Sequence, residues 1–255
     1  MKKFLIVSGS IVLLALSMFA CTIDSQQRTV QSSDQQESAT IAQQPLMQID
    51  TTVNLYVFKP HFSKIELEVG QMPSPQNDSV IFCAAAAFTS QLKDTFTYDN
   101  IVGAYITHGK KYRNYSAGKN YGRFIYANGN WHFAEAANHK AVDDAVGANG
   151  CMFTQWWVIK DNEIYQPYAM RNGEPTNVYR AICEKDGELM IAQGRKAMPY
   201  LTFVQALKAY GIKNALYMDM GTGWNHSFYR DSKGKAHTLF PHAHNYCTNW
   251  ITFYK

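Results

Sequence analysis

The chain is 255 residues long, 46% hydrophobic and 14% aromatic, with 24 Lys and Arg against 20 Asp and Glu for a formal charge of +4. That apolar share supports a sizeable core and excludes a chain disordered throughout. No run of Lys or Arg stands out, so the small positive charge offers no footprint for nucleic acid, which is excluded as a partner.

Residues 1–20 have the form of an export signal. Lys2 and Lys3 make a charged start, Phe4 to Phe19 is apolar apart from Ser and Gly, and small Ala20 precedes Cys21. Leu16-Ser-Met-Phe-Ala-Cys21 resembles a bacterial lipobox. The resemblance implies cleavage before Cys21 and acylation of that cysteine as a lipid anchor. It makes the protein an exported lipoprotein of the cell envelope, attached to a membrane, with the outer membrane as first expectation. Ordinary cleavage or an uncleaved anchor are the alternatives. Acyl chains contribute about 0.8 kcal/mol per buried methylene, so several hold a protein firmly. Loss of Lys2 and Lys3 lowers the charge from +4 to +2. Residues 21–46 read as a flexible linker: rich in Gln and Ser and without aromatics, they bury too little surface to offset ordering entropy. Residues 47–255 remain, a length suited to one domain.

Val53 to Phe58 and Ile65 to Val69 alternate like half-buried strands, and Ser79 to Phe88 is a nearly continuous apolar run, as in a strand covered on both faces. Ile101 to Thr107 is a strand ending at a His108-Gly109-Lys110 turn. Tyr121 to Ala127 and Trp131 to Ala136 flank Asn128-Gly129-Asn130, where Asn-Gly supplies the positive φ of a hairpin. Asn138 to Val146 is a helix candidate. Two more hairpins follow, Met152 to Ile159 with Ile164 to Tyr168 about Asp161-Asn162-Glu163, and Val178 to Glu184 with Glu188 to Gln193 about Asp186-Gly187. A second helix opens on a capping box of Thr202 and Gln205. Its apolar face repeats at Phe203, Ala206, Leu207 and Tyr210, and it stops at Gly211. Ala215 to Met218 then reads as a short buried strand running into Asp219 and the bracket Gly221-Thr222-Gly223. His226 to Arg230, a Ser232-Lys-Gly234 turn and Trp250 to Tyr254 complete the chain. The sum is α+β, a mixed, mostly antiparallel sheet with few helices. Cys83, Cys151, Cys183 and Cys247 permit two disulfides in three pairings, or four buried thiols, and show no zinc spacing.

This order of features resembles the phosphodiester glycosidase family, which includes a lysosomal enzyme removing N-acetylglucosamine from mannose 6-phosphate tags and many bacterial exported proteins. The family ends a helix-strand unit with an Asn-Ala-Leu-Asn-Leu-Asp-Gly-Gly-Gly-Ser-like motif; here Asn214-Ala-Leu-Tyr-Met-Asp-Met-Gly-Thr-Gly223 stands in its place. Tyr179-Arg180-Ala-Ile, Asp186-Gly187 and Leu189 to Ala192 match the preceding Pro-Arg-Thr-Ala strand, turn and strand. Gln155 and His108-Gly109-Lys110 match two earlier features. The likeness runs from about Val53 to Arg230 and looks nearest to a lipoprotein branch of gut-type Bacteroidota. Two departures stand out. Ala84-Ala-Ala-Ala-Phe88 replaces an Asn-Gly-Gly-Phe-Phe-like turn, and Met220, Thr222 and Gly223 alter the Gly-Gly-Gly-Ser run.

The resemblance implies hydrolysis of a sugar phosphodiester of the N-acetylglucosamine-phosphate type, with Asp219, Arg180 and His226 as catalytic residues. Gln155, Gly221, Thr222, Gly223, Trp224 and Asn225 would bind substrate. Arg180 suits a phosphate because its planar fork holds two oxygens; a structural salt bridge is the alternative. Asp219 suits a base, an acid or a metal ligand, or merely caps a turn. An ionised Asp219 would repel phosphate, a tension eased by distance, by protonation or by a divalent cation. Paired-carboxylate glycosidase chemistry needs a second acid, and Glu135, Asp161 and Glu163 are not distinguished. Trp224 and Tyr229 offer faces for a sugar ring or belong to the core. His237, His242, His244 and Cys247 form either a transition-metal cluster or a polar turn. The rival functions are a non-catalytic glycan- or phosphate-binding module and a structural envelope protein.

Overall fold

The computed structural model describes residues 45–90, 96–113, 118–165, 176–241 and 246–255, all within one compact unit, Gln43–Lys255. The expected signal, the lipid-bearing Cys21 and nearly all of the 21–46 linker lie outside the described residues, as do His242, His244 and Tyr168. Sixteen strands are described. The first eight are β1 (Met47–Thr51), β2 (Leu55–Pro60), β3 (Lys64–Val69), β4 (Val80–Ala85), β5 (Tyr105–Thr107), β6 (Lys110–Tyr112), β7 (Tyr121–Ala127) and β8 (Asn130–Glu135). After helix α1 (His139–Gly147) come β9 (Cys151–Lys160), β10 (Glu163–Ile164), β11 (Arg180–Lys185) and β12 (Glu188–Gly194). Helix α2 (Tyr200–Tyr210) is followed by β13 (Asn214–Met218), β14 (Ser227–Arg230), β15 (Ala236–Leu239) and β16 (Asn249–Tyr254).

The strands form two sheets rather than one. Eleven make a large sheet, along which the order is β1-β2-β12-β11-β13-β9-β5-β6, with the β7–β8 hairpin and β10 also on β9; five make a second, β15-β14-β4-β16-β3. Every pairing between described strands is antiparallel, which corrects the expected mixed sheet. The helix-strand signal behind that expectation is present, because α2 links β12 to β13. Both run in the same direction, but β11 lies between them and pairs with each in antiparallel register. The crossover therefore spans one strand and makes no parallel contact.

Four hairpin turns arise where the sequence places short polar pairs. His108-Gly109, Asn128-Gly129, Asp161-Asn162 and Asp186-Gly187 all have positive φ at both positions, the backbone a two-residue turn needs to match strand twist. The α2 boundary differs from expectation. The helix begins at Tyr200 after Pro199, with no side-chain cap, so Thr202 lies inside the first turn. Burial sets that start: the Tyr200 ring meets Tyr179 edge-on at 5.3 Å. Gly211 closes the helix at φ 90°, as expected. Three edge strands, β1, β6 and β15, were not expected; each has few buried apolar positions and so a weak alternation signal.

One core fills the space between the sheets. It joins Phe58, Ile182 and Leu216 of the large sheet to Phe82, Ile251 and Phe253 of the small one, with the Phe58 and Phe82 rings 5.6 Å apart. The large sheet's other face is covered by α2, whose Phe203, Val204 and Leu207 pack on Val57, Ala181 and Ala215. All four described cysteines are buried free thiols, so the disulfide alternative falls. Burial pushes the Cys83 thiol up to about 12.

Candidate functional site

Arg180 opens β11 and pairs laterally with Gln193 of β12 and Met218 of β13. Residues directly opposite share a face, so Arg180 points with Met218 into the space between the sheets. Its side chain is fully buried. Nε and Nη2 both donate to Gln193 Oε1, at 3.0 and 2.6 Å, and Nη2 donates to Ser227 Oγ at 2.7 Å. Nη1 is buried with no hydrogen-bond partner, and among the described residues no carboxylate pairs with the group. The salt-bridge alternative is thereby removed. Burial lowers its pKa to about 9, so the guanidinium is a cation at neutral pH with no counter-ion among the described residues.

Gln155 on β9 sits opposite Gly122 and, alternating with Phe153 and Trp157, faces the same inter-sheet space. Its Oε1 accepts the Trp156 N–H at 2.9 Å, while its Nε2 is buried without a partner. Since β13 alone separates β9 from β11, the Gln155 and Arg180 backbones lie about 10 Å apart, two strand spacings. Two donors with nothing to donate to thus face one region. Such groups are rare in folded proteins, because each carries a desolvation penalty of about 1–3 kcal/mol.

Asp219 ends β13. Its N–H donates to Ala86 O at 3.2 Å, and its carboxylate receives the Gly221 N–H at 3.3 Å and the amides of Thr89 and Met220. The side chain is 7% exposed. Desolvation outweighs the three amides and raises its pKa to about 6. No ion pair joins Asp219 to Arg180, and both are nearly sealed, so they do not open into one cleft. They share Tyr217, whose buried phenol lies within electrostatic reach of both charges. A cation does not fit here. The carboxylate faces N–H donors, and among the described residues no group of three or more His, Cys, Asp or Glu converges.

The glycine bracket is built for packing. Gly221 gives its N–H to Asp219, while its carbonyl accepts the amides of Trp224 and Asn225. At Gly223, φ is 86°, and an added Cβ would stand 2.4 Å from the Tyr246 ring. These glycines admit aromatic rings, where the sequence reading had backbone approaching a ligand. Trp224 is partly buried against Tyr246, ring centroids 5.3 Å apart, and packs on a cluster with Phe228 and Trp250. Thr222 is exposed, and Asn225 and His226 are partly buried. Tyr229 belongs to the core, 5.1 Å from Phe58, with His237 stacked on it. His237 also meets Asp231 at 2.7 Å, on the β14–β15 hairpin. Cys247 is buried separately and donates to Asn249 O at 2.9 Å.

The three acids left open stand away from Asp219. Glu135 pairs with Lys160, Glu163 with Lys208, and the Asp161 N–H reaches Asn214 Oδ1 at the start of β13. The run Ala84 to Ala87 is fully buried. Asn249 grips its end, accepting from the Ala87 N–H at 2.7 Å and donating to Ala87 O at 2.9 Å. Sequence reading missed three neighbours of the site: Gln193, Ser227 and Tyr217. Only Tyr217 carried a signal, as a phenol two residues before Asp219 in an otherwise aliphatic strand.

No family model matches the chain, and no curated protein matches it in sequence. Among solved structures, the catalytic domain of zebrafish N-acetylglucosamine-1-phosphodiester alpha-N-acetylglucosaminidase, auto-inhibited by its pro-peptide, superposes with a TM-score of 0.59 at 11% identity. The match covers 84% of this chain and 85% of that one. A hypothetical protein from Synechocystis matches at TM-score 0.43 and 9% identity, over 82% of this chain and 61% of that one. The chain is therefore similar in fold to the catalytic domain of a phosphodiester glycosidase.

Proposed function

We propose that the protein hydrolyses a sugar phosphodiester, with Arg180 as the phosphate-binding group and Asp219 as general base. One observation carries this reading: a fully buried guanidinium, with no carboxylate partner among the described residues, keeps an unused N–H, and at the same end of the sheet Asp219 has a pKa of about 6. A phosphate anion would supply the missing charge and the missing acceptor. In the reaction, water bonds to the anomeric carbon as the bond from that carbon to the phosphate oxygen breaks. The electron pair leaves with the phosphate, where Arg180 stabilises the added charge, and Asp219 takes the water proton. A base with a pKa near the working pH suits the last task. Since Ser227 covers Arg180 and follows directly on the Gly221–His226 loop, substrate enters only when that end of the small sheet draws back. A lipid on Cys21 would hold the activity at the cell envelope.

The test is incubation with a methyl phosphodiester of N-acetylglucosamine 1-phosphate, following release of free N-acetylglucosamine. Release that disappears in Arg180→Met and Asp219→Asn supports the proposal; release unchanged in both overturns it. A second reading, binding without turnover, is favoured by the apolar Ala84–Ala87 run and by the Gly221 amide already engaged on Asp219. Phosphodiester binding without sugar release would select it.

A further inference from the structure

The opposite end of β13 carries a different feature. A hollow of about 510 Å³ is lined by Trp131, Asn130, Glu184, Lys213 and Asn214 among others. A second, of about 230 Å³, lies beside it near Lys59, His61 and Glu188. Trp131 and Gly187 line both, so the indole stands between the two hollows. The Asp186-Gly187 and Asn128-Gly129 turns flank it, and a Cβ at Gly129 or Gly187 would meet nothing within 4 Å. Trp131 is held by an edge-to-face contact with Phe133, centroids 6.1 Å apart. Five residues of strand, about 16 Å, separate this place from Asp219.

Each lysine here already has a carboxylate partner. Glu184 takes Lys213 Nζ at 3.1 Å and Asn214 Nδ2 at 2.7 Å, and Lys59 pairs with Asp50 at 2.8 Å and Glu188 at 3.8 Å. An anionic ligand finds neither lysine without a carboxylate partner, unlike at Arg180. What is offered instead is an apolar ring between polar donors and acceptors, beside a larger hollow whose volume is typical of a ligand site. A pyranose ring has that complementarity, with C–H groups on one face and hydroxyls at its rim. We propose that this groove binds an uncharged oligosaccharide, one ring stacked on Trp131 and its neighbour in the adjoining hollow. The site is independent of the phosphodiester reading and gives the chain a hold on a glycan remote from Arg180.

The test titrates the full-length protein with tetramers of N-acetylglucosamine, glucose, mannose and xylose while following indole N–H signals by NMR; the signal missing in Trp131→Phe identifies Trp131. At least one tetramer is expected to shift that signal. Trp131→Ala should then weaken affinity about tenfold, and Trp131→Phe less, about two- to fivefold, in keeping with the worth of an aromatic contact. If no tetramer moves the signal, or if both variants bind like the parent, the proposal fails. Should Trp131→Ala not fold, Trp131→Phe decides alone. Tighter binding of a sulfated tetramer would overturn the uncharged class.

Discussion

The two ends of β13 solve the same problem, how to place charge on a sheet, in opposite ways. At the Asn214 end the charges lie near solvent and are matched: Lys213 with Glu184, Lys59 with Asp50. At the Met218 end they are buried and unmatched, a guanidinium without a carboxylate and a carboxyl held by amides alone. Matched surface charge contributes little to stability and little to chemistry. Unmatched buried charge lowers stability and shifts pKa values, as functional sites do. The two proposals follow this contrast, with chemistry at one end and recognition of a neutral ligand at the other.

Arg180→Met breaks the contrast most strongly. Removing the transition-state cation is expected to lower turnover about 10²–10³-fold, as loss of one preorganised donor does. Unfolding free energy should meanwhile change little, because relief of the buried charge is offset by the loss of the donor to Gln193 Oε1 and Ser227 Oγ, about 1–3 kcal/mol. Turnover with a thermal melt checks both. A fall in stability instead would make Arg180 a structural group.

Asp219→Asn follows. Turnover should drop about 10²–10⁴-fold, the worth of a general base, and the parent's kcat/KM should rise with pH through about 6 as the carboxylate forms. The stability effect has the opposite sign. A carboxyl raised from 3.8 to about 6 in the fold contributes stability below pH 3.8 that is lost as pH rises through 6. That loss approaches about 3 kcal/mol at 1.36 kcal/mol per pH unit. Denaturant melts between pH 4 and 8 should show it in the parent and not in the variant.

Gly223→Ala sharpens the packing role of the loop. A Cβ 2.4 Å from the Tyr246 ring, on backbone at φ 86°, should cost about 2 kcal/mol in denaturant unfolding. Lys213→Ala is the smallest expected change. Its pair with Glu184 is half exposed on the lysine side, so stability should fall by less than about 1 kcal/mol, with turnover unchanged.

Much of the fold was legible because its signals are local. Asn128-Gly129 and Asp186-Gly187 announce turns by backbone chemistry alone, and Gly211 announces a helix end. The α2 start was misread because its cause is tertiary: Tyr200 is drawn into the helix by Tyr179, which no spacing along α2 records. At the candidate site, Asp219 stood out by its place at a strand end. Ser227 and Gln193 did not, since their meaning is a shared contact with Arg180 from positions 47 and 13 residues away.

The amino-acid sequence by itself determined most of the strands, the hairpin turns and the α2–β13 unit, because periodicity and turn chemistry act over a few residues. Only the tertiary structure decided that every described strand pairing is antiparallel, that the described cysteines form no disulfide and that the glycines serve Trp224 and Tyr246. It also decided that Arg180 is buried without a counter-ion while the charges around Trp131 are paired. Burial and partnership belong to neighbours brought together across the sheets, and a group's charge state and free energy follow from those neighbours.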